Sequence, residues 1–139
     1  MPIRDLARSD VVTAEPNASA ASLAETLRDN NVGSVVIESD GAPTGIVTDR
    51  DLAMEVLAGG RDASEVSARD IMTEDLVTVD ATEGAFDACS RMCDEGVRRL
   101  PLVEDGDLVG IITFDDMLQL LGDELQHLAS IAAHESPPY

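Results

Sequence analysis

Lysine and tryptophan are both absent from the 139 residues, and aromatic side chains make up only 2% of them. A chain so poor in rings offers few platforms on which unpaired bases could stack, which argues against a single-strand nucleic-acid binder. Positive charge is scarce too. The nine Lys+Arg residues are all arginine and stand against 28 Asp+Glu, a formal net charge of −19. Charge of this sign repels nucleic acid and anionic membrane, so neither is expected as a partner. No apolar run is long enough to span a bilayer, and Met1–Asp5 lacks the basic-then-apolar form of an export signal. A cytoplasmic location is the expectation. The two cysteines, Cys89 and Cys93, fall on a predicted helix at a spacing that suits neither an unstrained disulfide nor a complete metal site. They read as two buried thiols on one helical face. His127 and His134 have no third ligand near them in sequence, so no metal is expected. No nucleophile–base pair, Gly-rich phosphate loop or paired-acid motif is present, and the chain reads as non-enzymatic.

What is abundant is carboxylate. At moderate ionic strength this much like charge pushes a compact state apart. In molar salt the Debye length falls to about 3 Å and the repulsion is largely screened. The missing lysine and the acidic surplus together read as adaptation to a salt-rich cytoplasm, of the kind found in halophilic archaea.

The strongest organising feature is an internal repeat. A shift of 65 residues lays Asp5–Leu52 on Asp70–Met117 without a gap. Thr13 meets Thr78, Ala20 meets Ala85, Val32 meets Val97, and Asp40-Gly41 meets Asp105-Gly106. Each unit reads as a short strand (Val11–Thr13 or Leu76–Val79) and an amphipathic helix, then two strands joined by an Asp-Gly turn, then a final helix. The first of the amphipathic helices carries Leu23 and Leu27; the second carries Phe86, Cys89, Met92 and Cys93. The fold class is therefore α+β, two β-α-β-β-α units packed about a pseudo-twofold axis through small facing sheets of antiparallel type. The expected divisions are a first repeat over 1–60, a polar linker over 61–67, a second repeat over 68–125 and a terminal helix extension and tail over 126–139. Leu118, Leu121, Leu125, Leu128 and Ile131 carry that terminal helix, and Ser136-Pro137-Pro138-Tyr139 reads as frayed.

Asp70-Ile71-Met72-Thr73 followed by Leu76-Val77-Thr78-Val79 resembles the opening of a CBS repeat. Gly-x-x-Thr-x-x-Asp, present at Gly45–Asp51 and Gly110–Asp116, is similar to that family's closing signature. The resemblance covers about residues 5–122. It implies a tandem CBS pair, often called a Bateman module, that regulates other proteins and carries no chemistry of its own. It implies two related clefts between the repeats, which take an adenosine-type ligand such as AMP, ADP, ATP or S-adenosylmethionine. No further cofactor is required. It also implies a homodimer of such pairs, and an effector protein acting in trans.

Local chemistry gives Thr48 and Asp51, and again Thr113 and Asp116, a capping-box reading with Asp at the fourth position. A carboxylate there can equally accept two hydrogen bonds from a ribose diol, while the Thr hydroxyl and helix N–H groups reach phosphate or ribose. The resemblance gives the ribose to Asp51 and Asp116. It places Val12, Thr13, Val77 and Thr78 of the first strands along the adenine pocket, together with Val32-Gly33-Ser34 and its counterpart Val97-Arg98-Arg99. Ile46 and Ile111 are expected to flank the base. In the resemblance Arg98 and Arg99 face Asp51, with one of the two entering the cleft and Arg50 at its rim. The Asp51 cleft is then the phosphate-tolerant one. The Asp116 cleft, facing Gly33 and Ser34, is expected to suit an uncharged nucleoside or stay empty. A ligand-free assembly module on the same fold is the competing expectation.

Overall fold

The structure, a computed structural model, describes residues 1–134; the tail expected to fray lies outside the described residues. Its two halves follow one plan. In the first, β1 (Thr13–Ala14) leads to α1 (Ala20–Asn30), β2 (Ser34–Ser39) and β3 (Ala42–Thr48). A helical stretch follows, α2 (Asp49–Asp51) running on as a π-helical turn over Leu52–Leu57. After α3 (Ala68–Ile71), the second half repeats the order as β4 (Val79–Asp80), α4 (Ala85–Glu95), β5 (Arg99–Glu104), β6 (Asp107–Thr113) and α5 (Phe114–His134). Each sheet has three strands, the first parallel to the second and the second antiparallel to the third. The first strands are shorter and begin later than the sequence suggests. Only Thr13–Ala14 and Val79–Asp80 pair, so Val77 and Thr78 lie ahead of the ladder.

The Asp-Gly turns behave as their chemistry demands. Asp40 and Gly41 have φ of 54° and 84°, Asp105 and Gly106 of 53° and 85°. Two consecutive left-handed residues make the tight turn that matches strand twist, and Asp-Gly is a preferred pair for it. Both hairpins also carry an irregularity at the same place, between Ile37 and Glu38 and between Leu102 and Val103.

Two apolar cores form, one per half, and each is completed by a segment of the other half. Ile3 is fully buried among Val79, Ala88, Leu100 and Ile112 of the second unit. Val66, Ala68 and Ile71 are buried among Leu23, Leu27, Val35 and Val47 of the first. Backbone bridges fix both crossings. Pro2 pairs with Gly84 and Arg8 with Ile111; 65 residues on, Ser67 pairs with Ser19 and Thr73 with Ile46. The segment expected as a linker is thus structural: the carbonyls of Ala63 and Val66 accept from the N–H groups of Ala21 and Ala20 at the start of α1. The crossing also explains the glycine of the repeated signature. A Cβ on Gly45 would lie 2.6 Å from Met72 Sδ and 3.0 Å from the Thr73 carbonyl; on Gly110 it would lie 3.0 Å from the Arg8 carbonyl.

Two further expectations are corrected. Cys89 and Cys93 are exposed, not buried. α4 buries Ala85, Ala88 and Met92 instead, the counterparts of Ala20, Leu23 and Leu27 in α1. That leaves Phe86, 85% exposed, outside with the thiols. The long terminal helix expected from Leu118, Leu121, Leu125, Leu128 and Ile131 is α5, and all five of these side chains are exposed.

Candidate functional site

The two Thr-x-x-Asp elements are built alike. Each follows directly on a third strand, where the chain turns from β6 or β3 into a helix. Asp51 N–H donates to Thr48 Oγ1 at 3.1 Å, and Thr48 N–H donates to Asp51 Oδ2 at 2.9 Å. Asp116 N–H and Thr113 N–H repeat the pattern at 3.2 and 3.1 Å. These are reciprocal capping boxes that satisfy otherwise orphaned donors. In each box the cap uses one carboxylate oxygen, Oδ2, and leaves Oδ1 outside it.

Two cavities flank these caps, each lined by both repeats. One, of about 200 Å³, is lined by Ile46 and Thr48 from the first repeat and by Val77, Val97, Arg98 and Arg99 from the second. The other, of about 260 Å³, takes Val12, Val32, Gly33 and Ser34 from the first repeat and Ile111 and Thr113 from the second. Arg98 and Arg99 line it too. Asp51 and Asp116 adjoin these walls through their caps without being part of the lining. Three expected residues stand apart from both cavities. Thr13 is engaged in β1 opposite Val36. The Thr78 carbonyl accepts from Arg91 Nη1 at 3.3 Å. Arg50 is exposed on α2, and its backbone N–H donates to Asp49 Oδ1 at 2.8 Å.

The expected division of charge between the clefts is not what the structure contains. Arg98 and Arg99 line both cavities rather than only the one at Thr48. The alternation that would admit just one of them fails because Arg98 precedes β5 and is not a strand residue. Its guanidinium sits 5.0 Å above the Phe114 ring and 3.9 Å from Asp115 Oδ1. Arg99 reaches back across the repeats: a Cβ on Gly33 would lie 3.2 Å from Arg99 Nη2 and 3.6 Å from Asp49 Oδ2.

The residue missed by sequence reasoning is Arg8. Its Nη2 donates to Asp116 Oδ1 at 3.0 Å, and it lines the larger cavity. Its counterpart across the repeat is Thr73, which lines the smaller cavity. The signal was available, since Thr73 closes the Asp70–Thr73 motif and the repeat alignment puts Arg8 on it. It became meaningful only once the Arg8–Ile111 and Thr73–Ile46 bridges carried both residues into the opposite repeat's cleft.

The CBS domain family matches this chain twice, over residues 3–58 and 68–123. The chain belongs to the CBS-domain family. CBS pairs are a non-catalytic regulatory fold, and the described residues hold no cluster of His, Cys, Asp and Glu suited to a metal. An uncharacterized protein of Methanopyrus kandleri is 42% identical over 120 residues, covering 85% of this chain and 61% of that protein. The CBS domain-containing protein YhcV of Bacillus subtilis is 31% identical over 115 residues, 83% of this chain and 81% of its own length. This chain therefore spans under two thirds of the first relative and most of the second. Among solved structures, the CBS domain pair of protein MJ0100 in complex with 5′-methylthioadenosine and S-adenosyl-L-methionine superposes with a TM-score of 0.80 at 26% identity. That match covers 89% of this chain and 98% of the other. No described helix is long and apolar enough to cross a membrane.

Proposed function

We propose that this CBS pair is a regulatory module that binds an adenosine-type ligand in the clefts between its repeats and alters a partner protein in trans. One observation carries the reading. Each of two pseudo-symmetric cavities is walled by both repeats and bordered by a Thr-x-x-Asp cap that uses one carboxylate oxygen and leaves the other outside the cap, free on Asp51 among the described residues and paired with the exposed Arg8 on Asp116. A ligand held by both walls favours whichever arrangement of the repeats closes on it. The free energy passed to a partner is limited to the ligand's differential affinity for the two arrangements. The ligand-bound MJ0100 pair supports adenosine chemistry as the class. Asp51 and Asp116 take the ribose diol, and Ile46 and Ile111 flank the base.

The test is calorimetric titration with AMP, ADP, ATP, S-adenosylmethionine and adenosine, on the wild type and on Asp51→Asn and Asp116→Asn. Asparagine still offers an oxygen to the cap, so a lost heat reports the diol contact rather than a broken helix start. Binding weakened about tenfold or more is expected from losing a charged acceptor. No heat with any of the five ligands would leave the module without its proposed function.

A second reading rests on the exposed leucines of α5. There the module assembles, as a homodimer of pairs or with a partner, and needs no ligand. Sedimentation showing a stable dimer that ignores all five ligands would favour it. The acidic surface is read as adaptation to a salt-rich interior, and circular dichroism unchanged between molar and millimolar KCl would refute that part.

A further inference from the structure

The inference here rests on the nucleotide-binding reading above and concerns how the two clefts differ. Asp51 keeps one oxygen, Oδ1, without a protein donor among the described residues, while its Oδ2 serves the cap. Asp116 has both oxygens engaged, Oδ2 by the cap and Oδ1 by Arg8. The Arg8 backbone is fixed: its N–H and carbonyl bond the Ile111 carbonyl and N–H, each at 3.0 Å. Its side chain is not fixed in the same way: the guanidinium is 66% exposed and makes one bond to a largely buried Asp116, so it can leave for water or a better partner while the carboxylate stays in place. Three of the chain's nine basic residues, Arg8, Arg98 and Arg99, line this single cavity. Asp10 and Asp115 line it as well, so the three arginines outnumber the two carboxylates there in a chain of net charge −19, a local reversal of sign that favours an anion. The cavity, at about 260 Å³, is also smaller than the roughly 300 Å³ at which small-molecule pockets begin.

We infer that Arg8 is the specificity residue of the Asp116 cleft, a latch that holds the carboxylate and transfers to the phosphate of an incoming nucleotide. A guanidinium binds phosphate through two parallel hydrogen bonds, a better match than its single bond to Asp116 Oδ1. Its departure frees that oxygen for the ribose diol in the same event. An unphosphorylated nucleoside gives Arg8 nothing to move to, and must compete with it for the carboxylate. The Asp116 cleft thus selects phosphate-bearing adenosine ligands. The Asp51 cleft, with Thr73 in the equivalent place, does not impose that condition.

Amide resonances separate the clefts without further mutation. Isotope-labelled wild type, Arg8→Gln and Arg8→Lys are titrated with AMP and with adenosine. Thr113 and Asp116 report one cleft, and Thr48 and Asp51 report the other. At Thr113 and Asp116, wild type should prefer AMP over adenosine. In Arg8→Gln that preference should fall about tenfold or more, with adenosine gaining affinity while AMP loses it. Arg8→Lys, which keeps the charge but not the fork, should lie between. The preference at Thr48 and Asp51 should stay unchanged in all three. Binding of both ligands at Thr113 and Asp116 with a preference indifferent to Arg8 would overturn the latch and leave the nucleotide reading standing. Shifts confined to Thr48 and Asp51 in every variant would overturn it as well, leaving one working cleft. No shifts at either cleft would remove both proposals together.

Discussion

Residues 2–8 and 67–73 do the same structural work in opposite halves of the molecule, and they differ in what they bring. Both cross to the other repeat and pair with it at two equivalent points. The first delivers Ile3 to a core and Arg8 to a cleft; the second delivers Ala68 and Thr73 to the matching places. The backbone bonds that hold the crossing are indifferent to side chain, so they persist while the side chains diverge. A duplicated fold can in this way keep its geometry and give its two clefts different chemistry.

The comparison breaks most severely at the cores. Ile3 is fully buried, so Ile3→Ala should lower unfolding stability by about 2–5 kcal/mol in urea titration, although alanine is what the other crossing uses. Ala68→Ile, the converse, should cost about 1–3 kcal/mol through overpacking. A neutral Ile3→Ala would mean that the crossing contributes little to the second core.

The next largest effect lies where each crossing passes its glycine. Gly110→Ala would set a Cβ 3.0 Å from the Arg8 carbonyl, and Gly45→Ala would press on both Met72 and the Thr73 carbonyl. Each should destabilise by roughly 1–3 kcal/mol. Met72→Ala should recover part of the loss for Gly45→Ala but none for Gly110→Ala, which a double-mutant cycle would read directly.

Thr73→Arg sharpens the comparison by copying the first crossing onto the second. It should bring an arginine to Asp51 and give that cleft a preference for AMP over adenosine of about tenfold. Equal binding of both ligands there would show that position alone does not make the latch.

The smallest effect concerns acid. Asp70 sits below its ordinary value of 3.8, held there first by the N–H of Ser67. A lowered folded-state value stabilises the fold fully above the ordinary aspartate range and loses that help as pH falls through the lowered value. The first crossing has Pro2 in the place of Ser67, with no N–H to give its own Asp5. Asp70→Asn should therefore slightly flatten the acid limb of a stability profile measured by urea titration across acid pH.

Much of this architecture was legible in the sequence because the repeat made each reading twice. The Asp-Gly turns, the Thr-x-x-Asp caps and the element order all follow from local chemistry that works the same in any context. The thiols of α4 show where local chemistry stops. Of the expected stripe Phe86, Cys89, Met92 and Cys93, only Met92 is buried, together with Ala85 and Ala88, because packing against the sheet rather than helical spacing selects the face. The repeat alignment marks that face, since Ala85, Ala88 and Met92 fall on Ala20, Leu23 and Leu27 of α1. Arg8 was hidden for another reason. A repeat shows which residues are equivalent without showing which half they serve, and the clefts are assembled from halves that have traded segments.

The traded segments also set an order of events for a chain leaving the ribosome. The first core lacks Val66, Ala68 and Ile71 until synthesis has passed into the second repeat, so the earliest-made half emerges with its interior open. The second half meets no such delay, because Ile3 is already outside and waiting. The N-terminal unit still closes first, but only after residues 66–71 have emerged, when half the chain has been made, whereas the second core waits for Met117.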